Sequence, residues 1–130
     1  MVLDTSAIFS ILTREPDHHK YLSGLSTERQ RLMSAATLFE TAVVLFLDSG
    51  DASLIVDLND LIEELGIEIV PFDSTSAWQA FETYTRFGKG IHPARLNLLD
   101  CVAYQLARHF GQSLLFKGND FSRTDAVPAV

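Results

Sequence analysis

The chain has 130 residues, 47% hydrophobic and 21% charged, with a formal net charge of −7 at pH 7. This composition excludes a disordered or fibrous chain and suits one globular unit that buries about two-thirds of its unfolded surface. The acidic balance excludes nucleic-acid binding through a diffuse basic surface, and the lone Cys101, set in an apolar run, excludes a disulfide framework and points to a reducing compartment.

Val2-Leu3 reads as a short strand ending at Asp4 with no basic, apolar leader ahead of it, so a cytoplasmic protein is expected. Thr5 or Ser6 is placed to cap a short helix through Ile8, Ile11 and Leu12, and Pro16 suits the first turn of a second helix reaching about Leu25. Arg31-Leu32-Met33 predicts a strand. Ser34 then caps a long helix from Ala35 to Leu47, stopped at Ser49-Gly50, whose nearly all-round apolar character is that of a buried helix. Ser53 to Leu65 alternates leucines and isoleucine with acids, an amphipathic surface helix ended by Gly66, and Ile67 to Val70 follows as a strand. Asp73 or Ser74 caps the next helix, which carries Trp78, Phe81 and Tyr84 on one face up to the Gly88-Lys89-Gly90 loop. Asn97 starts the last long helix, which ends at Gly111, and Ser113 to Phe116 is the closing buried strand.

This order predicts an α/β fold with a central parallel sheet covered by helices, in one undivided domain over residues 1–130. The longest apolar stretches carry Glu40 or Asp100 and fall short of the roughly 20 residues a membrane span needs, so no membrane role is expected.

Four acids stand out. Asp4 and Asp120 fall just after strands, where open parallel sheets bind ligands. Glu40 is the only charge between Ala35 and Leu47, and Asp100 lies among Leu96, Asn97, Ala103 and Tyr104; neither position looks like a solvated face. An ionised carboxylate in apolar surroundings costs several kcal/mol unless it is compensated. Each acid also has a plain reading: Asp4 as a helix cap, Glu40 and Asp100 in ion pairs, Asp120 as a turn residue. If they share one pocket, each close pair at about 4 Å costs on the order of 4 kcal/mol. Such a cluster calls for a divalent cation or shared protons. An oxygen-only donor set favours Mg2+ or Mn2+ over zinc, and a site of that kind suits phosphodiester hydrolysis.

The residues that carry these features also match a family. Val2-Leu3-Asp4-Thr5-Ser6-Ala7, Phe39-Glu40-Thr41-Ala42, Asn97-Leu98-Leu99-Asp100-Cys101 and Leu114-Leu115-Phe116-Lys117-Gly118-Asn119-Asp120-Phe121 resemble, in order and spacing, the motifs of PIN-domain ribonucleases, specifically the toxins of VapBC-type toxin–antitoxin pairs. The resemblance spans essentially the whole chain. It implies a three-layer α/β/α sandwich, Mg2+- or Mn2+-dependent cleavage of RNA, homodimerisation and inhibition by a cognate antitoxin. Asp4 and Asp100 would then be the main metal ligands, Glu40 a ligand or water-orienting base, and Asp120 the fourth acid, with Asn119 and Asp125 close enough in sequence to compete for that place.

Thr5 and Ser6 match hydroxyls that lie beside the metal in that family, and capping explains them as well. Lys117 is a candidate contact for a phosphate or an acid pair. Arg86, Lys89, His92 and Arg95 form an acid-free stretch that could guide RNA, or simply a solvated loop. The Phe9, Ile11 and Leu12 strip is either core or a groove for an antitoxin helix. The rival readings are a PIN fold that has lost catalysis and binds a partner, and a receiver-like phosphoacceptor domain in which Asp73 and Lys117 would act. The latter leaves Glu40 and Asp100 unexplained.

Overall fold

A computed structural model describes residues 1–130. Strands β1 (Val2–Leu3), β2 (Leu32–Ser34), β3 (Glu68–Val70) and β4 (Leu114–Leu115) pair in the order β3-β2-β1-β4, all parallel. Val2 lies opposite both Leu32 and Leu114, so β1 occupies an inner place. The chain builds outward from β1 through β2 to β3, then returns to the other side of β1. Strand order therefore reverses between β1 and β4, and in an open α/β sheet the crevice at the carboxyl ends of such strands is where ligands bind.

Six helices cover the sheet: α1 (Thr5–Leu12), α2 (His18–Thr27), α3 (Ala35–Ser49), α4 (Ser53–Glu64), α5 (Ser74–Phe87) and α6 (Leu98–Phe110). Side chains alternate across each strand. Val2, Leu32 and Leu114 pack with Ala80 of α5 and with Ala103, Tyr104 and Leu106 of α6. Leu3, Met33 and Leu115 pack on the opposite side with Ile8, Leu25, Leu45 and Leu58, from α1 to α4. The result is the three-layer α/β/α arrangement. Each fully buried Leu, Ile or Val contributes roughly 1.5–3 kcal/mol relative to exposure. Arg31 adds a polar clasp, with Nε donating to the Leu25 carbonyl and Nη1 to the Leu65 carbonyl, both at 2.6 Å, which joins the ends of α2 and α4.

Helix ends follow local chemistry. Ser34 caps α3, Asp73 caps α5 and Asn97 caps α6, while Gly50 and Gly111 end α3 and α6 at φ 72° and 61°, left-handed values a residue with a side chain adopts at a cost. Three expectations need correction. The cap of α1 is Asp4 itself rather than Thr5 or Ser6, because its carboxylate accepts the Ser6 N–H. The second helix begins at His18, one residue past Asp17, not at Pro16. The all-apolar α3 is not buried all round: it buries Thr37, Thr41 and Leu45 and leaves Phe39 72% and Leu47 73% exposed, because it packs along one side only. Cys101 is buried and unpaired. No helix is long and apolar enough to cross a membrane.

Candidate active site

The reversal between β1 and β4 collects acidic side chains from four segments. Asp4 leaves the end of β1, Glu40 comes from α3, Asp100 from the first turn of α6 and Asp120 from a 3-10 turn (Asp120–Arg123) after β4. All four line one cavity of about 400 Å3, together with Thr5, Ser6 and Asn97. Asp4 and Asp100 form its buried part at 4% and 8% exposure, Glu40 is half-buried and Asp120 is exposed.

Each of the three inner acids commits one oxygen to the scaffold. Asp4 Oδ2 accepts from the Ser6 N–H at 3.0 Å and from the Ser6 hydroxyl at 2.5 Å. The same hydroxyl oxygen accepts the Lys117 backbone N–H at 2.9 Å, which ties the exit of β1 to the exit of β4. Glu40 Oε2 accepts from the Thr5 hydroxyl at 2.6 Å, and Thr5 is in turn 3.0 Å from the Thr41 hydroxyl. Asp100 Oδ2 accepts the Asn97 N–H at 2.7 Å while Asn97 Oδ1 accepts the Asp100 N–H at 2.8 Å, a reciprocal capping box at the start of α6. The second oxygen of each acid, Asp4 Oδ1, Glu40 Oε1 and Asp100 Oδ1, takes no hydrogen bond from the protein.

Burial shapes the electrostatics. It pushes the Asp4 carboxyl above the usual carboxylate range against the opposing pull of the Ser6 hydrogen bonds, and the charges of Glu40 and Asp120 push it further. Burial raises Asp100 to about 7, with Asp4, Asp120 and Glu40 adding repulsion that the Asn97 N–H only partly offsets. No cation of the protein relieves them. Lys117 lines the cavity, but its ammonium donates to Glu15 at 2.7 Å and to Asp17, which hold it as a strut between β4 and the α1–α2 corner. It is therefore not poised to neutralise the acid pair.

Hard, uncoupled carboxylate oxygens with surplus negative charge are a donor set that fits Mg2+ or Mn2+. No three of these side chains converge closely enough to hold a metal ion as they stand.

The other sequence candidates lie elsewhere. Asp125 accepts from the Tyr104 hydroxyl and faces Arg108 at 3.5 Å and Arg86 at 3.8 Å, one to two turns along α6 from Asp100 and outside the acids' cavity. Of the two candidates for the fourth acid, only Asp120 lines the cavity. Arg86 is thereby removed from the acid-free stretch, and His92 Nδ1 accepts the Ala94 N–H within its own loop. Phe9 is half-buried at the cavity wall, while Ile11 belongs to the core. Sequence reasoning marks Asn97 only as a helix start and misses its hold on Asp100, which the Asn-x-x-Asp spacing signals.

The model of the PIN domain family matches residues 1–127. Among curated relatives, ribonuclease VapC30 of Mycobacterium tuberculosis is 38% identical over 125 residues, covering 96% of this chain and 95% of that protein. Among solved structures, Mycobacterium tuberculosis VapC20, a Sarcin-Ricin loop cleaving toxin, superimposes with a TM-score of 0.79 at 18% identity, covering 97% of this chain and 95% of that one. A toxin–antitoxin complex from Klebsiella pneumoniae gives a TM-score of 0.69 at 16% identity over 97% of this chain and 93% of that one.

Proposed function

This chain belongs to the PIN-domain family, and on that premise we propose that it is a metal-dependent ribonuclease, the toxin of a toxin–antitoxin pair, acting as one domain in the cytoplasm. The observation that carries the reading is the set of uncommitted oxygens on Asp4, Glu40 and Asp100, brought with Asp120 into one cavity at the strand-order reversal. Asp4, Glu40, Asp100 and Asp120 would hold Mg2+ or Mn2+. Bound there, the ion supplies the positive charge that favours attack of water on a phosphodiester and offsets charge growing on the phosphoryl oxygens.

The chain's own residues prepare that chemistry. Ser6 fixes the rotamer of Asp4 and locks it to the β4 exit; Thr5, backed by Thr41, aims Glu40; and the capping box aims Asp100. Glu40 is the least buried of the three, which supports its role as the base that accepts a proton from an attacking water. The exposed apolar face of α3, with Phe39, Val43, Phe46 and Leu47, supports the reading that a protein partner covers this side, either the antitoxin or a second copy in a homodimer.

The test is RNA cleavage by the purified chain with Mg2+ or Mn2+ against an EDTA control, with Asp4→Asn alongside. Cleavage that needs both metal and Asp4 is the expected result. Equal cleavage by wild type and Asp4→Asn would assign the activity to a contaminant. A folded chain that binds RNA and metal but never cuts would favour the partner-binding reading.

A further inference from the structure

Beside the acids' cavity lies a second, larger one of about 610 Å3, and the two meet along Asn97, Asp100 and Asp120. Its walls carry Lys89, Arg95 and Arg123. The protein has ten lysines and arginines. Of these, Arg86, Arg108 and Lys117 are engaged in ion pairs and Arg31 in capping carbonyls, whereas Lys89, Arg95 and Arg123 form none of the salt bridges. Three uncommitted cations in one groove, on a chain of net charge −7, are a local reversal of sign.

The groove is built before any ligand arrives. Arg95 has φ 56°, a left-handed backbone that is strained for a long side chain. It is held there between the buried Ala94 and Leu96, with its N–H on the His92 carbonyl at 3.0 Å. Leu96 N–H and Lys89 N–H close the same loop onto Phe87 and Leu96 carbonyls, and the Tyr84 hydroxyl donates to the Lys89 carbonyl at 2.7 Å. Arg123 ends the 3-10 turn whose Phe121 is anchored in the core. These bonds display Arg95 between two buried neighbours, and the buried Phe121 two residues before Arg123 fixes the turn that displays it.

We infer that this groove is the track for the sugar–phosphate backbone of the RNA on one side of the cut, with Lys89, Arg95 and Arg123 each meeting a phosphate and the Asp100–Asp120 boundary marking where the track reaches the acids. The inference rests on the ribonuclease reading and deepens it: the acid-lined cavity repels phosphates other than the one being cut, so the flanking strand is carried by the basic side. Arg86, the nearest arginine in sequence, belongs to the Asp125 cluster and lies outside the track.

The experiment compares Lys89→Gln/Arg95→Gln/Arg123→Gln with a control, Arg14→Gln/Lys20→Gln/Arg29→Gln, which removes the same charge from residues that line neither cavity. The assay is cleavage of a fluorescent single-stranded RNA between 50 and 200 mM salt, read as separate KM and kcat. Each lost phosphate contact lowers the logarithmic salt slope by about 0.7 for a single strand. The groove variant is therefore expected to raise KM with little change in kcat, and to lose a factor of about 20 less affinity than wild type over that salt range. Restoring positive charge with Arg95→Lys/Arg123→Lys should bring most of the slope back, since a track reads charge and not fork geometry. A groove variant with wild-type KM and slope, or a control variant impaired to the same degree, overturns the track. A folded wild type that neither binds nor cuts RNA overturns the ribonuclease reading itself, and the two failures are told apart by the wild-type lane alone.

Discussion

Replacing Asp100 by Asn should make the metal-free protein more stable while removing its activity. Asp100 is buried beside three other acids, and its carboxyl is raised to about 7 from 3.8. A carboxyl raised in the folded state binds its proton more tightly there than in the unfolded chain. Folding is thus undisturbed below the unfolded value and loses stability as pH climbs from about 4 to 7, after which the loss is complete. A difference of about 3 units corresponds to roughly 4 kcal/mol as a ceiling. Water entry and movement of the exposed Asp120 reduce it, so a gain of about 1–2 kcal/mol is expected at pH 8. Asn keeps the acceptor that the Asn97 N–H needs, so the start of α6 survives. For a chain of this size each kcal/mol moves Tm by about 4 °C. Thermal unfolding in EDTA should show Asp100→Asn melting about 4–8 °C above wild type at pH 8, with the gap closing towards pH 4. Mg2+ should then raise the wild-type Tm and leave the variant unchanged. A variant less stable than wild type at pH 8, or a gap indifferent to pH, would refute the claim that Asp100 is an uncompensated buried charge.

Ser6→Ala removes the hydroxyl that orients Asp4 and accepts the Lys117 N–H, and should lower kcat by about 10- to 100-fold with the fold intact by circular dichroism. Asp120→Asn should impair cleavage whereas Asp125→Asn should not, because Asp125 is spent on Tyr104, Arg86 and Arg108; parallel kcat values decide between them. Lys117→Met should lower Tm at low salt, with the loss shrinking at high salt, and leave the salt dependence of RNA binding unchanged, since its ammonium serves Glu15 and Asp17 rather than a phosphate.

Much of this architecture is written in short-range signals. Apolar runs ending in Asp4 and before Asp120, Ser34 ahead of α3 and Asn97 ahead of α6 are local, so the order of elements and the strand-end position of two acids can be read directly. What depends on docking cannot. The outer face of α3 has the same spacing of Phe39, Val43, Phe46 and Leu47 that a core face would have, and nothing local distinguishes a side chain awaiting a partner from one already covered. Lys117 resembles a free phosphate-binding lysine until its ammonium is seen beside Glu15 and Asp17, about a hundred residues earlier. The acid-free stretch is divided by the fold: Lys89 and Arg95 line the second cavity, Arg86 turns to Asp125, and Arg123 joins the cavity from beyond β4.

The pairing of β1 with β4 has a consequence during synthesis. Val2 finds its partner Leu114 only when most of the chain exists, and Asp4 and Asp120 are drawn together by that same closure. A nascent chain that has already made Asp4, Glu40 and even Asp100 still lacks the strand that holds Ser6 in place and the turn that carries Asp120. The acid cluster is therefore complete only after β4 and the turn that follows it have been made.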